Sequence, residues 1–360
     1  MCYFIKIGRI NVEMYYCLFA RYFKWIVFRR SVAEAAMSTS ARSTVNTLGV
    51  VGGGQMGMGI TVTAATQGKK KVICVDSNAA ALQKSLENSK RILASQVTKG
   101  KITAQEKEEA IARIVTTQDL NSLKDVDFVI EAVPEDPFFF ICLNIHLFYG
   151  WIKMTINNKI QKNEKVKKSI FEQVSKITQN DVILASNTSS IPITRIASWV
   201  SEDRRDKVCG MHFMNPVPVM QLVEIIPGLQ TSNDTKAKVI ALAEQMGKTT
   251  SVSRDDAGFI ANRILMPYIN EAVFVLQEGI ATKEDIDKTM KLGTNVPMGP
   301  LTLADFIGLD TCLFIQQTLY ESTKDSKYKP APLLQRYVEA GWLGRKTGRG
   351  FYNYEIKKDK

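Results

Sequence analysis

One short run, GVVGGGQMGMGI at residues 49–60, constrains the fold of this chain more than any other stretch. Apolar residues precede three consecutive glycines, and a helix-forming stretch follows them. The spacing G-x-G-x-x-G allows a tight turn and the close approach of a pyrophosphate to the amides at a helix N-terminus. The residues of this turn are Gly52, Gly53, Gly54, Gln55, Met56 and Gly57.

A second apolar stretch, KKKVICVD, ends at Asp76, nineteen residues beyond Gly57. A carboxylate in this place can accept hydrogen bonds from both hydroxyls of an adenosine ribose, and it would repel a 2′-phosphate. Strand, glycine turn, helix, strand and terminal aspartate in this order predict a site for NAD rather than NADP. The alternative is a glycine-rich turn beside an unrelated surface aspartate.

Strand and helix patterns alternate as far as residue 252, and from Asp256 the chain is helical throughout. The predicted strands lie at TLGVV, KKKVICVD, DVDFVIEAV, DVILASN, KVCGMHF, MQLVEII and KTTSVS, and long helices are predicted up to about residue 113. This order predicts an α/β Rossmann-type NAD-binding domain at 46–252, followed by an all-α C-terminal domain at 253–360.

Two segments depart from this pattern. Residues 1–45 are basic and aromatic, which indicates either a mitochondrial transit segment or sequence upstream of a true start at Met37, with a cytoplasmic protein in the second case. Residues 138–164 interrupt the first domain and indicate either a retained intron or a genuine surface loop. We expect this insertion to loop away from the sheet or to be poorly ordered.

The composition excludes several classes of function. The apolar part of the insertion would span about 22 Å as a helix, short of a hydrocarbon core of about 30 Å, so no membrane span is predicted. The net charge is +11, but aromatic and basic residues are not interleaved as on a nucleic-acid surface. The six cysteines form no CxxC pair, and we predict buried thiols at Cys74, Cys209 and Cys312 and no metal site.

A single histidine stands in the main body of the chain, in VCGMHFMNPVPVMQLVEII. His212 and Glu224 are equidistant from Pro218, so two antiparallel strands joined by a bend there would place them opposite each other. A carboxylate beside an imidazole fixes its tautomer and stabilises its protonated form, which makes a general base. The alternative is a structural pair that pins a hairpin.

Six motifs together resemble the L-3-hydroxyacyl-CoA dehydrogenase family, in its 3-hydroxybutyryl-CoA dehydrogenase-like branch. They are GVVGGGQMGMGI, ASNTSSI, GMHFMNPVPVMQLVEII, DDAGFIANRILMPYINEA, GTNVPMGPLTLADFIGLD and LGRKTGRGFYNY. The resemblance covers residues 46–137 and 165–355. It implies reversible NAD-dependent oxidation of (S)-3-hydroxyacyl-CoA in fatty acid metabolism and β-oxidation, by a homodimer that associates through its helical domain.

The resemblance also implies residue roles. His212 matches the family's catalytic base and Glu224 its orienting carboxylate, while Ser189 and Asn262 match the residues that hold the substrate's C3 oxygen. Asn215 matches a residue near the thioester. The remaining matches are cofactor contacts at Glu135, Lys167, Asn187 and Lys346, and a CoA-phosphate contact at Lys99.

Several of these matches have plainer interpretations. Ser189 could cap the helix that begins near Pro192, Asn262 could hydrogen-bond between helices, and Lys346 could be merely solvated. Ile92 stands where some family members have a CoA-binding serine, which weakens the assignment of Lys99. Two other functions stay open: a gulonate-type dehydrogenase on the same scaffold, and a protein disabled by its insertion.

Overall fold

A single sheet of eight strands organises the first part of the chain. The computed structural model describes residues 45–133 and 164–355. The strands are β1 (Thr47–Val51), β2 (Lys71–Val75), β3 (Ile114–Thr117), β4 (Phe128–Glu131), β5 (Ile183–Ser186), β6 (Val208–Phe213), β7 (Leu222–Pro227) and β8 (Thr249–Val252). Their order across the sheet is β3-β2-β1-β4-β5-β6-β7-β8. The first six are parallel, β7 runs antiparallel to β6, and β8 runs parallel to β7.

Helices connect these strands and then form the rest of the chain. Those of the first part are α1 (Gln55–Thr66), α2 (Ala79–Thr98), α3 (Ala104–Ala112), α4 (164–177), α5 (Ile193–Ala197) and α6 (Asn233–Gln245). Those of the second part are α7 (Ala261–Gln277), α8 (Lys283–Gly293), α9 (Pro300–Ile307), α10 (Leu309–Thr323) and α11 (Pro332–Glu339). The predicted fold class, an α/β nucleotide-binding part followed by an all-α part, is confirmed.

The central strands are continuous apolar runs because both of their faces are buried. On β1, Leu48 and Val50 face one hydrophobic cluster while Val51 faces another. β4 alternates in the same way, with Phe128 on the first side and Val129 on the second. Helices cover both sides of the sheet, and the strands therefore lack the polar alternation of a half-exposed sheet.

Local signals set several helix boundaries. Thr103 and Glu106 form a reciprocal capping box at the start of α3. Pro300 and Pro332 stand in the first turns of α9 and α11, where a missing amide hydrogen is harmless. These local signals are the physical reason why each of the three helices begins where it does.

Strand β3 is the element that sequence reasoning missed. It is a four-residue strand of sequence IVTT at the edge of the sheet, and Val115 is exposed on it. A short, partly exposed edge strand carries neither an apolar run nor a clear alternation. All seven predicted strands are present.

The helical part has its own core of residues from α7 to α11, including Met266, Leu309 and Leu334. The predicted buried thiols are confirmed: Cys74, Cys209 and Cys312 are buried and free. Burial raises the pKa of Cys74 to about 11 and that of Cys209 to about 12. Across 45–133 and 164–355, no helix has the length and apolar character that crossing a membrane requires. The insertion at 138–164 falls, except for its last residue, outside the described residues.

Candidate active site

The glycine turn between β1 and α1 has the geometry that the motif predicts. Gly52 has a φ of 106°, and a Cβ there would lie 2.7 Å from the Ala132 carbonyl oxygen. A Cβ on Gly57 would lie 1.8 Å from the Gly52 carbonyl oxygen, so a side chain cannot fit at that position. Both glycines are therefore required by close backbone packing at this turn.

The N-terminus of α1 fits a dinucleotide. Its N-cap, Gly54, offers no capping side chain, and the first turn of the helix contains no acidic residue. A Cβ built on Gly54 meets nothing within 4 Å, so the space in front of the helix amides is open. Uncapped amides at the positive end of a helix dipole are the donors that a pyrophosphate needs.

Asp76 lies just beyond the end of β2, beside this turn. Its Oδ2 accepts a hydrogen bond from the Gly53 amide at 2.6 Å, and its Oδ1 accepts one from the Asn78 amide at 2.8 Å. A carboxylate can accept about four hydrogen bonds, so two acceptor positions are left for ribose hydroxyls. The adenosine end of NAD therefore fits here, with the negative charge disfavouring a 2′-phosphate.

Gln55 ties the glycine turn to the connection between β6 and β7. Its Nε2 donates to the Asn215 side-chain oxygen at 3.0 Å. Asn215 precedes a cis peptide bond to Pro216, and Val217 lies so close to α1 that a Cβ on Gly59 would be 2.9 Å from it. The predicted cofactor turn and the predicted thioester contact thus meet across 160 residues of sequence.

His212 and Glu224 face each other across the antiparallel pair of β6 and β7, in the predicted register. The Nδ1 atom of His212 lies 2.8 Å from Oε2 of Glu224. Both side chains are buried, with 8% of His212 and 1% of Glu224 exposed. Because an ionised carboxylate only accepts hydrogen bonds, Nδ1 carries the proton, and Nε2 is left as the atom that can receive one.

The carboxylate of Glu224 is held in its charged form. Burial by itself raises the pKa of Glu224, but the hydrogen bonds from His212 and from the backbone outweigh burial, so the pKa lies below its usual value. The backbone bonds come from the amides of Ile260 and Ala261, which donate to Oε1 at 3.0 and 2.9 Å. Glu224 therefore contacts both the imidazole and the first turn of the helical part.

The loop after β5 lies against the histidine strand. The side-chain oxygen of Asn187 accepts from the Phe213 amide at 2.8 Å, next to His212. Ser189 is two residues further along this loop and is half-buried. The amides of Ile193 and Thr194 at the start of α5 donate to the Asp255 carboxylate, each at 2.7 Å.

Asn262 comes from the helical part of the chain. It belongs to the first turn of α7, adjacent to Ala261, and is 9% exposed. The bond between the Ala261 amide and Glu224 places the start of α7, to which this asparagine belongs, at the strand that carries Glu224. Asn262 thus follows directly on a residue that binds Glu224, and Ser189 lies two residues beyond Asn187, which binds the backbone next to His212.

Lys167 forms a buried ion pair at the end of β4. Its Nζ lies 2.7 Å from Oε1 of Glu131, and both side chains are almost fully buried. Glu131 also accepts from the Val133 amide and, through Oε2, from the Ser186 hydroxyl, each at 2.7 Å. The predicted cofactor contact thus sits within a network between β4, β5 and α4, with its ammonium directed at Glu131.

Two other predicted residues have surroundings away from the pair, and a third is not described. Lys99 is exposed at the end of α2, two turns from the exposed Ile92. Lys346 pairs with Asp310 at 2.5 Å within the helical part. Glu135 lies outside the described residues.

Four contributing residues were missed by sequence reasoning. Glu131 carried a signal, because it is a lone acid closing the apolar run FVIE. Lys248 carried none: its buried Nζ donates to the carbonyls of Val217 and Met220 in the turn after Asn215, and desolvation lowers its pKa. Asp255 and Phe259 carried none either, because their contacts arise from the tertiary path of the segment between β8 and α7.

Two family models match this chain. The model described as "3-hydroxyacyl-CoA dehydrogenase, NAD binding domain" matches residues 47–139 and 154–256. The model described as "3-hydroxyacyl-CoA dehydrogenase, C-terminal domain" matches residues 258–354. The chain belongs to the 3-hydroxyacyl-CoA dehydrogenase family. Its first part is the family's NAD-binding domain, which confirms the predicted cofactor, and the predicted resemblance is confirmed as well.

Named relatives agree with the family. A probable 3-hydroxybutyryl-CoA dehydrogenase of Bacillus subtilis is 48% identical over 308 residues, covering 86% of this chain and 97% of that protein. The mitochondrial hydroxyacyl-coenzyme A dehydrogenase of Homo sapiens is 36% identical, covering 91% and 98%. The crystal structure of (S)-3-hydroxybutyryl-CoA dehydrogenase from Ralstonia eutropha is 44% identical, with a TM-score of 0.75 and coverage of 87% and 100%.

Proposed function

We propose that this member of the 3-hydroxyacyl-CoA dehydrogenase family oxidises short-chain (S)-3-hydroxyacyl-CoA, such as 3-hydroxybutyryl-CoA, to the 3-oxoacyl-CoA with NAD. The reaction is reversible and belongs to fatty acid metabolism, in the steps of β-oxidation. The observation that carries the proposal is the buried pair of His212 and Glu224, with Nδ1 and Oε2 2.8 Å apart. The link from Gln55 to Asn215 joins the connection between the two strands of this pair to the glycine turn.

The residues of the site have distinct roles in this reaction. Bound NAD supplies the hydride acceptor, and the glycine turn and Asp76 would hold its pyrophosphate and ribose. Nε2 of His212 takes the proton of the substrate's 3-hydroxyl group as the C3 hydrogen leaves with its electron pair. The ionised Glu224 stabilises the imidazolium that forms, as a carboxylate does in other His-acid pairs.

Ser189 and Asn262 orient the substrate. They belong to the loop after β5 and to the first turn of α7, and we assign to them the hydrogen bonds that hold the C3 oxygen. Asn215 is assigned to the thioester end and Lys99 to the CoA phosphates. Their contribution is positional, since a fixed oxygen keeps the C3 hydrogen directed at the acceptor.

Domain organisation and association are also proposed. We assign residues 46–252 to the cofactor domain, with an insertion at 138–164, and residues 253–360 to a helical domain for substrate and dimer contacts. Exposed apolar side chains at Ile264, Ile280 and Leu292 support a homodimer formed through the helical part. Light scattering on the purified chain tests this, and a monomer at micromolar concentration would contradict it.

The compartment is a separate proposal. The basic, aromatic segment at 1–45 supports import into mitochondria, and translation from Met37 would instead leave a cytoplasmic protein. Fluorescent fusions of the chain from Met1 and from Met37 test this. Identical cytoplasmic distributions would contradict mitochondrial import.

The activity is tested by acetoacetyl-CoA-dependent oxidation of NADH. We expect the full chain to consume NADH, and His212→Gln to lose on the order of 10³-fold or more in kcat because the general base is missing. NADH binding, measured by fluorescence, should remain, because the substitution leaves the glycine turn and Asp76 unchanged. A variant with wild-type kcat would contradict the assigned base.

Substrate controls separate the competing functions. Free CoA should compete with acetoacetyl-CoA in this family's site, whereas a gulonate-type enzyme would be indifferent to CoA and would turn over the sugar acid instead. NADH binding without turnover of either substrate would support a disabled protein. NADPH in place of NADH tests the role of Asp76, since its charge should oppose the 2′-phosphate.

A further inference from the structure

The segment between β8 and α7 contains two consecutive residues with left-handed backbone, Gly258 with a φ of 75° and Phe259 with a φ of 51°. Among the described residues the other non-glycine positions with positive φ are exposed polar residues, namely Lys69, Asn295 and Lys324. Phe259 is only 5% exposed. A bulky residue in this backbone region is strained and persists only where the surroundings require it.

The contacts of this segment converge on the catalytic pair. The Phe259 ring packs edge-on against the His212 imidazole, with centroids 5.5 Å apart and planes at 62°. The next two amides, those of Ile260 and Ala261, donate to Glu224. One strained turn thus places a phenyl ring on the imidazole and two amides on the carboxylate.

We propose that Phe259 is a positioning residue for the His212–Glu224 pair, and this inference rests on the proposed function. Its left-handed backbone turns the chain so that the following amides bind Oε1 of Glu224, which leaves Oε2 directed at Nδ1 of His212. Its ring restricts rotation of the imidazole, so that Nε2 stays directed at the substrate. The same ring keeps water from the hydrogen bond between the two side chains.

The competing explanation is that Phe259 only fills the core. The residue belongs to the hydrophobic cluster on one side of the sheet, and so does Phe171 of α4, which is 3% exposed and packs edge-on against Trp199. Phe171→Leu is therefore the matched control for Phe259→Leu. The two changes remove the same atoms from the same cluster, and only the second removes a contact with His212.

A spectroscopic measurement tests the positioning without turnover. The chain has two histidines, so imidazole-labelled protein gives two sets of ring signals in an NMR spectrum, and His146→Gln assigns them. In the wild-type protein we expect His212 ring protons shifted by the adjacent phenyl ring, and a downfield signal from the protected Nδ1 proton. Phe259→Leu should remove both features, and Phe171→Leu should leave both.

The kinetic measurement uses the same variants. Phe259→Leu should lower kcat by about 10- to 100-fold, as a misdirected base does, while KM for NADH and for acetoacetyl-CoA changes by less than about twofold. Phe171→Leu should lower the melting temperature with kcat unchanged. Phe259→Met, a second variant without a ring, should reproduce the loss of kcat.

Each outcome decides between the two explanations. The proposal is overturned if Phe259→Leu has a kcat within about twofold of wild type and its His212 signals stay at their wild-type positions. The proposal is also overturned if both Phe259 variants lose NADH binding while Phe171→Leu still binds NADH. Phe259 would then be required for folding only. A wild-type chain that leaves NADH unchanged refutes the proposed function instead, and the NMR comparison still tests the positioning.

Discussion

Glu224 connects the imidazole of His212 to the start of the helical part. One carboxylate oxygen binds the imidazole of His212, and the other binds the amides of Ile260 and Ala261 at the start of α7. The sequence predicted its partnership with His212 from the symmetry of the two strands about Pro218. It could not predict the amide contacts, because nothing local relates β7 to a helix 36 residues away.

The pH dependence of stability tests the charge on Glu224. Its folded-state pKa is lowered, so its stabilisation is present above the ordinary value of 4.5 and is lost as pH falls through the lowered pKa. Glu224→Gln should cost about 1.5–3 kcal/mol in free energy of unfolding at neutral pH. The difference from wild type should shrink below pH 4.5, as measured by urea unfolding from neutral pH to about pH 3.5.

An exposed glutamate provides the control for this measurement. Glu108, whose side chain is 68% exposed, should give a Glu108→Gln variant with unfolding free energies close to wild type throughout. A cost of Glu224→Gln that is independent of pH would contradict an ionised carboxylate as the source of the stabilisation.

At the scale of elements, the strand–turn–helix unit of β1 and α1 contains glycines of two kinds. Gly52 and Gly57 are required by the fold, since a Cβ on either would collide with backbone. Gly54 meets nothing within 4 Å, so the fold itself does not demand a glycine there. We therefore attribute the glycine at position 54 to the cofactor rather than to packing.

Gly54→Ala tests this explanation. The melting temperature should stay near wild type, because an alanine N-cap costs at most about 1 kcal/mol relative to glycine. The dissociation constant for NADH should rise at least about tenfold, because the added methyl group lies where the pyrophosphate must approach. Gly293→Ala is the control, since Gly293 also has open space around its Cβ but lies in α8. Unchanged NADH binding in Gly54→Ala would contradict the predicted pyrophosphate position.

At the scale of the whole molecule, the insertion is the main departure from the family. The NAD-binding family model matches residues 47–139 and 154–256 and leaves 140–153 unmatched. Glu131 of β4 precedes the insertion and Lys167 of α4 follows it, and the two form a buried ion pair. The elements that flank the insertion therefore retain a direct tertiary contact.

Deletion of residues 138–164 tests whether the insertion is needed. The shortened chain should bind NADH and reduce acetoacetyl-CoA at least as well as the full chain, because the pair of Glu131 and Lys167 and the glycine turn are kept. A shortened chain that loses NADH binding while the full chain is active would show that the insertion belongs to the cofactor site. Activity in the shortened chain alone would identify the insertion as the disabling feature.

The sequence by itself determined the α/β order, the glycine turn, the position of Asp76 at the end of β2 and the pairing of His212 with Glu224. Each of these depends on contacts between near neighbours or on the periodicity of strands and helices, which local patterns record. Only the tertiary structure decided that Glu224 binds the start of α7, that Asp255 caps α5, and that Phe259 lies on the imidazole. These contacts join elements that are distant in sequence, and the path of the chain between β8 and α7 creates them.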